Sequence, residues 1–363
     1  MLLISLVLAL HLGGWLLRRM YKLYCLHNVR AEFSFSKRYA AEGETVHFVT
    51  SLVNRQWLPV PWLVLRTQVD KNLQFADAES VGAGDDSYRN DLYSVMFRQR
   101  VTRRQPFICL KRGVYTLKSA EIVGRDFFFE HSHVRIHEPL PNSARLTVLP
   151  RPLAPEDIAP VFRYILNQVE TRRFLYVDPF TFKGIREYQP FDPLRAVNSK
   201  ASAKMQTLMV NVWQHTWSRR VLLILDLRRH FLHLHGDDTD ERAIRIVAAL
   251  ADFCAASQTQ VQLVTNGVDV ATGEVLRPHR HIPEALAHID LSQNPDDAVD
   301  LFAAAAYDTE VWLVSAYQGS DLIAAAERCV SDGTPFCWIM PRLDGVAPPK
   351  GEKVAMERYV LCV

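Results

Sequence analysis

Between Asp226 and Asp240 the chain gathers three imidazoles, His230, His233 and His235, with four carboxylates, Asp226, Asp237, Asp238 and Asp240. Imidazole and carboxylate together suit Zn²⁺ or another transition ion, and a metal held this way activates water. His230, His233, His235 and Asp237 are therefore a candidate ligand set, and a metal-assisted hydrolase is the function that would follow. Their spacing matches no standard metal motif, and the loop is polar enough to be simply solvated, so a surface loop is the favoured reading. A second charged constellation runs KGIREYQPFDPLRAVNSKASAK from Lys183 to Lys204. Pro190 and Pro193 each fix φ and remove a donor, so its middle reads as an ordered loop. Arg186 and Arg195 with Glu187 and Asp192 suit bidentate ion pairs that dock this loop. Alternatively the same residues, with Lys183, Lys200 and Lys204, form an exposed partner-binding surface. The chain has no GxxxxGK[ST] phosphate loop, no GxSxG, no HExxH and no GxGxxG after a strand. The expectation is a protein that is not an enzyme and carries no cofactor.

Charge and composition narrow the classes further. The 363 residues are 48% apolar and carry a formal net charge of only +2, which argues against a polyanionic partner. From Val161 to Arg220 ten Lys and Arg face four Asp and Glu, an excess of six. Arg172, Arg173, Phe174 and Tyr176 lie in this stretch, and a protein-docking face fits them better than nucleic acid does. The six cysteines form no CxxC pair and sit mostly in apolar runs, as reduced, buried thiols do.

The elements that must position these residues follow from hydrophobic pattern. Leu2 to Leu17 is almost continuously aliphatic and is followed by Arg18, Arg19 and Lys22. Sixteen helical residues span about 24 Å against a hydrocarbon core of about 30 Å. The expectation is an uncleaved, single-pass membrane helix whose basic flank keeps the body of the chain in the cytoplasm. From Val29 to Val148 short alternating runs between Gly, Asn, Pro and Asp predict a β-sandwich. LPRPLAPED, Leu149 to Asp157, reads as a linker. Beyond it, continuous apolar runs at Arg220–Leu227, Val261–Thr265, Glu310–Ser315 and Pro335–Met340 alternate with helical patterns at Asp240–Ala256, Asp296–Tyr307 and Asp321–Val330. Strand alternating with helix predicts a doubly wound α/β domain. The fold class expected is thus α+β multidomain: an anchor over residues 1–26, a β-sandwich over 27–150, a linker and charged segment over 151–215, and an α/β domain over 216–363.

The charged segment resembles the signature GxREYxPGDxxRxIxWxxxAR of the bacterial domain-of-unknown-function family 58. Gly184, Arg186, Glu187, Tyr188, Pro190, Asp192, Arg195, Ala203 and Lys204 match, while Phe191 and Ser199 depart from it. KRGVYTLKSAEIVGRDFFFE, Lys111 to Glu130, is similar to the family's RRGxYxLGPxxxxxxDPFGLF element through Arg112, Gly113, Tyr115, Leu117, Asp126 and Phe129. The resemblance implies a C-terminal von Willebrand factor A-like domain, a place in the bacterial inner membrane, and a MoxR-type AAA+ ATPase as partner. It implies a divergent member as well. A domain of that type holds Mg²⁺ through Asp-x-Ser-x-Ser, and here the sequence is Asp226, Leu227, Arg228, Arg229, His230. Both serines are gone and Arg228 brings a fixed charge, so a degenerate site without Mg²⁺ is expected, with Asp226 paired to an arginine. The function implied is a membrane-anchored assembly factor that binds other proteins.

Overall fold

The structure, a computed structural model, describes residues 2–75, 81–83, 86–125, 132–137, 144–173, 182–189, 197–213, 220–229, 236–276, 281–295, 299–305, 309–342 and 360–363. Helix α1 (Leu2–Tyr24) is followed by strands β1 (Val29–Phe35), β2 (Tyr39–Ala41), β3 (Thr45–Asn54), β4 (Val60–Asp70), β5 (Leu73–Phe75), β6 (Val81–Ala83) and β7 (Asp86–Val95). Strands β8 (Arg100–Cys109), β9 (Gly113–Thr116), β10 (Ser119–Arg125), β11 (Ser132–His137) and β12 (Arg145–Leu149) complete the first half. The second half contains α2 (Pro155–Arg173), β13 (Phe182–Glu187), α3 (Ser199–Met205), β14 (Met209–Trp213), β15 (Arg220–Asp226), α4 (Gly236–Ala256), β16 (Gln260–Thr265) and β17 (Val268–Asp269). It ends with α5 (Ile282–Ala287), β18 (Ile289–Asp290), β19 (Thr309–Ser315), α6 (Ser320–Ser331), β20 (Phe336–Met340) and β21 (Val360–Cys362). Two compact units result: Met1–Arg151 with Pro283–Asp290, and Pro152–Ile282 with Leu291–Val363.

In the first unit an antiparallel sheet in the order β1-β3-β8-β5 and another in the order β11-β10-β4-β7-β6 contribute to one apolar core. Period-2 alternation sends Val46, Phe48 and Leu52 of β3 inward, where Phe33, Phe48, Phe75 and Phe107 meet ring to ring. The Lys111–Leu117 motif acquires a physical reason here. Gly113 has φ +149, a conformation side chains rarely adopt, and a Cβ there would lie 3.5 Å from the Tyr115 ring. The Tyr115 hydroxyl donates to the Lys111 carbonyl at 2.7 Å, closing the turn. Arg112, 9% exposed, donates through Nη1 to the carbonyls of Leu286 at 2.7 Å and Ile289 at 3.0 Å. A segment far along the chain is thereby clipped into this unit.

The second unit is built on a wholly parallel sheet in the order β16-β15-β19-β20-β21. All seven residues of β19 are buried, as are six of the seven in β15, so these strands read as continuous apolar sequence. Trp338 and Leu313 are 0% exposed and pack with Leu322 and Ala326 of α6.

Three expectations are corrected. No helix among the described residues is long and apolar enough to cross a membrane, so the single-pass inner-membrane placement is withdrawn. The apolar run of α1 is interrupted by His11, Gly13 and Gly14, and the helix continues through Arg18, Arg19 and Lys22. Its last turn and the residues after it belong to the β unit. Tyr21, Cys25 and Leu26 join that core, and the Tyr21 hydroxyl donates to the Pro59 carbonyl at 3.1 Å. Second, strand outweighs helix among the described residues, 42% against 29%, in several small sheets, and this overturns the fold class of α+β domains ending in a doubly wound von Willebrand factor A-like one. Third, the described residues within Asp296–Tyr307 form turns rather than a helix, and among the described residues the connection from β16 to β19 carries the short α5 and two-residue strands. With Pro295 just before it and Asp296, Asp297 and Asp300 close together, that segment has a helical spacing of apolar residues without strong helix formers at its start.

Five of the six cysteines are buried and Cys362 alone is exposed. Burial, with the Glu44 charge adding to it, pushes the Cys109 thiol up to about 11, and burial raises Cys337 further. Titration of native protein with a thiol reagent should therefore show one fast equivalent, rising to six after denaturation.

Candidate functional site

The polar residues singled out around Asp226 lie at the carboxyl ends of the parallel strands. There Asp226, 2% exposed, closes β15. Its Oδ1 accepts from the Arg228 backbone N–H at 3.1 Å, from Arg228 Nε at 3.0 Å and from Asn266 Nδ2 at 2.8 Å. Its Oδ2 accepts from Arg228 Nη2 and from Ser315 Oγ, both at 3.1 Å. Asn266, just past β16, also accepts the Leu227 N–H at 2.9 Å, and Trp338 of β20 donates to the Ser315 carbonyl at 3.1 Å. Donors at the ends of β15, β16 and β19 thus converge on one carboxylate, with Trp338 of β20 bonded to the Ser315 that supplies one of them.

Arg228 spans outward from this anchor. Its Nη1 reaches Asp321 in the first turn of α6 at 2.6 Å, and its guanidinium carbon lies 4.7 Å from the centre of the Tyr317 ring. Burial disfavours the charged guanidinium, but Asp226 and then Asp321 more than offset this and raise its pKa. Partial burial likewise opposes ionisation of Asp321, but the Arg228 hydrogen bond and the Leu322 backbone N–H prevail and hold it below the usual carboxylate range. A depressed carboxylate contributes stability that is present above its unfolded value of about 3.9 and is lost as pH falls through the native one.

This geometry does not fit a cation. A carboxylate offers about four lone-pair positions, and five donors occupy those of Asp226. The guanidinium fills the place where a hard ion would need open oxygens. Asp240, from the candidate metal loop, is engaged as well: Arg229 Nε donates to its Oδ2 at 2.7 Å. Among the described residues no group of three or more His, Cys, Asp or Glu is placed to hold a metal. His230, His233 and His235 lie outside the described residues, and Asp237 belongs to α4. Sequence reasoning picked out Asp226 and Arg228 but missed Asn266, Ser315 and Asp321. The available signal was position, because Asn266 and Ser315 are polar residues at the carboxyl ends of apolar runs.

The charged signature forms a separate small module. β13 pairs antiparallel with β14, matching Arg186 to Val210 and Glu187 to Met209, and Val197 bridges to Val210 as well. Asn198 caps α3 by accepting the Ala201 N–H at 3.0 Å, and its Nδ2 donates to Asn211 Oδ1 at 2.8 Å. Ser202 Oγ donates to the Asn198 carbonyl and accepts the Met209 N–H, each at 2.8 Å. The helix is thus fastened to the ribbon by its small polar residues. Arg186, Glu187, Lys200 and Lys204 are all exposed on this frame. Arg186 donates to the Glu187 carbonyl at 3.1 Å. Lys183 lies in β13, whereas Asp192 and Arg195, and with them the ion pairs expected of them, lie outside the described residues.

No protein-family model matches the chain, and no curated protein matches it in sequence. Among solved structures, the CARDB domain of a Pyrococcus furiosus protein is 11% identical, covering 33% of this chain and 93% of its own, with a TM-score of 0.21. A non-cellulosomal cohesin from Archaeoglobus fulgidus is 11% identical, covering 36% and 96%, at 0.21. AvmM, which catalyses macrocyclization in alchivemycin A biosynthesis, is 14% identical, covering 35% and 93%, at 0.24. Likeness at this level carries no argument about fold or function.

Proposed function

We propose that the protein is a non-enzymatic interaction and assembly factor that works with a MoxR-type AAA+ ATPase. The observation that supports this reading is the β13–β14–α3 module. It holds Arg186, Glu187, Lys200 and Lys204 exposed on a frame fixed by side-chain capping, which suits docking with little ordering cost. The resemblance of Lys183–Lys204 to family 58 supplies the ATPase as partner. The strand-end carboxylate is consistent with this, since Asp226 has no lone pair left for acid–base or metal chemistry. The test is affinity capture of a purified MoxR-type ATPase from the same genome, with and without ATP. Wild type should capture it, and an Arg186→Glu/Lys200→Glu variant should lose capture with an unchanged unfolding midpoint. Failure of wild-type capture under both conditions would reject the reading.

A further inference from the structure

We propose that one end of the four-stranded sheet in the first unit binds an acidic polypeptide segment carrying an apolar anchor residue. This goes beyond the module just described and involves other residues. At that end Trp57 is 71% exposed, Phe97 57% and Met96 50%. Trp57 and Phe97 lie nearly parallel, with ring centres 6.4 Å apart, and the Arg98 guanidinium carbon sits 4.3 Å from the centre of the Trp57 ring. Exposed Trp, Phe, Met and Arg side by side have the composition of a binding hot spot.

The patch is held on a rigid frame. Buried Asn54 donates from Nδ2 to the Leu58 carbonyl at 2.9 Å and the Met96 carbonyl at 3.0 Å, joining the two loops that carry the aromatics. Gln56 donates to the Cys25 carbonyl at 2.6 Å and accepts the Arg98 N–H on its own carbonyl at 3.1 Å. Arg98 has φ +48, a left-handed conformation uncommon for a residue with a side chain, in the turn that lays its guanidinium over the indole.

Charge defines the occupant. Cross-strand register sets Arg30 of β1, Val53 of β3 and Arg100 of β8 in one row on the outward face, and Ser34, Val49 and Arg104 in another. Arg30, Arg55, Arg98, Arg100 and Arg104 are all exposed, and none forms an ion pair among the described residues. Glu32 is the one acidic side chain on the outward rows of β1, β3 and β8. Arg30 and Arg100 stand two strand spacings apart, about 9.6 Å, a separation that successive acidic side chains of an extended segment can bridge. A peptide fits better than a nucleic acid. Glu32 stands between the arginine rows and would repel phosphates, and the chain as a whole carries a formal net charge of only +2.

The test is fluorescence anisotropy of the full chain with a short labelled peptide alternating Glu and Leu. Trp57→Ala, Arg98→Glu and Arg30→Glu should each weaken binding about tenfold or more with unchanged unfolding midpoints. Lys200→Glu should leave it unaltered, and an all-Glu peptide should bind about tenfold more weakly. No binding by wild type, equal binding by the three variants, equal binding of the all-Glu peptide, or tighter binding of a single-stranded oligonucleotide would each overturn the proposal. Because the three substitutions lie on separate elements and at exposed positions, misfolding of one leaves the other two to decide.

Discussion

Asp226→Ala will lower the stability of the second unit by about 3 kcal/mol, because a largely buried guanidinium loses its buried carboxylate and keeps only the exposed Asp321. Arg228 has only 14% of its side chain exposed, and the substitution removes the carboxylate that accepts its Nε and Nη2. Buried Asn266 and Ser315 lose an acceptor at the same time. Arg228→Leu should cost a similar amount by the opposite route, leaving the buried carboxylate with three neutral donors, the residue-228 backbone N–H, Asn266 and Ser315, and no counter-charge. The Asp226→Ala/Arg228→Leu double variant should recover much of the loss, because no buried charge then remains unpaired and Asp321, which loses its arginine, is exposed. Urea unfolding of the four proteins measures this coupling. Additive single-variant losses, or an Asp226→Ala midpoint equal to wild type, would show that the carboxylate does not organise the strand ends.

Arg112→Met should cost about 3 kcal/mol, from two charge-assisted hydrogen bonds of about 1.5 kcal/mol each. Its distinguishing effect is local. The carbonyls of Leu286 and Ile289 lose their donor, so amide exchange across Pro283–Asp290 should accelerate more than exchange in the β3 and β4 core. Arg112→Lys should rescue only part of the loss, since an ammonium lacks the planar fork that serves two carbonyls at once. Uniform acceleration over the whole unit would instead indicate a general packing defect.

What the sequence makes legible divides along physical lines. Buried parallel strands show themselves as unbroken apolar runs, so Arg220–Leu227 and Glu310–Ser315 can be located from composition alone. Gly113 with Tyr115 can also be read, because a positive φ admits few residue types. The largely apolar stretch Leu2–Leu17 of α1 misleads, since hydropathy records what a helix could enter and says nothing of Tyr21, Cys25 and Leu26 docking into a β core. The partners of Asp226 are hidden for another reason. Asn266 lies forty positions away and Ser315 eighty-nine, and only strand order brings them together. Pro283–Asp290 joining the first unit is equally unreadable, because it depends on Tyr39, Arg112 and Arg145 reaching residues more than a hundred positions away.

The guanidinium of Arg228 has a consequence for regulation. A positive charge borrowed from solution comes and goes with ion supply, and a surface organised around it turns on and off with chelation. Here the charge is covalently part of the chain and is held protonated by two carboxylates. The charge that organises the Asp226 carboxylate therefore does not depend on the supply of divalent cations.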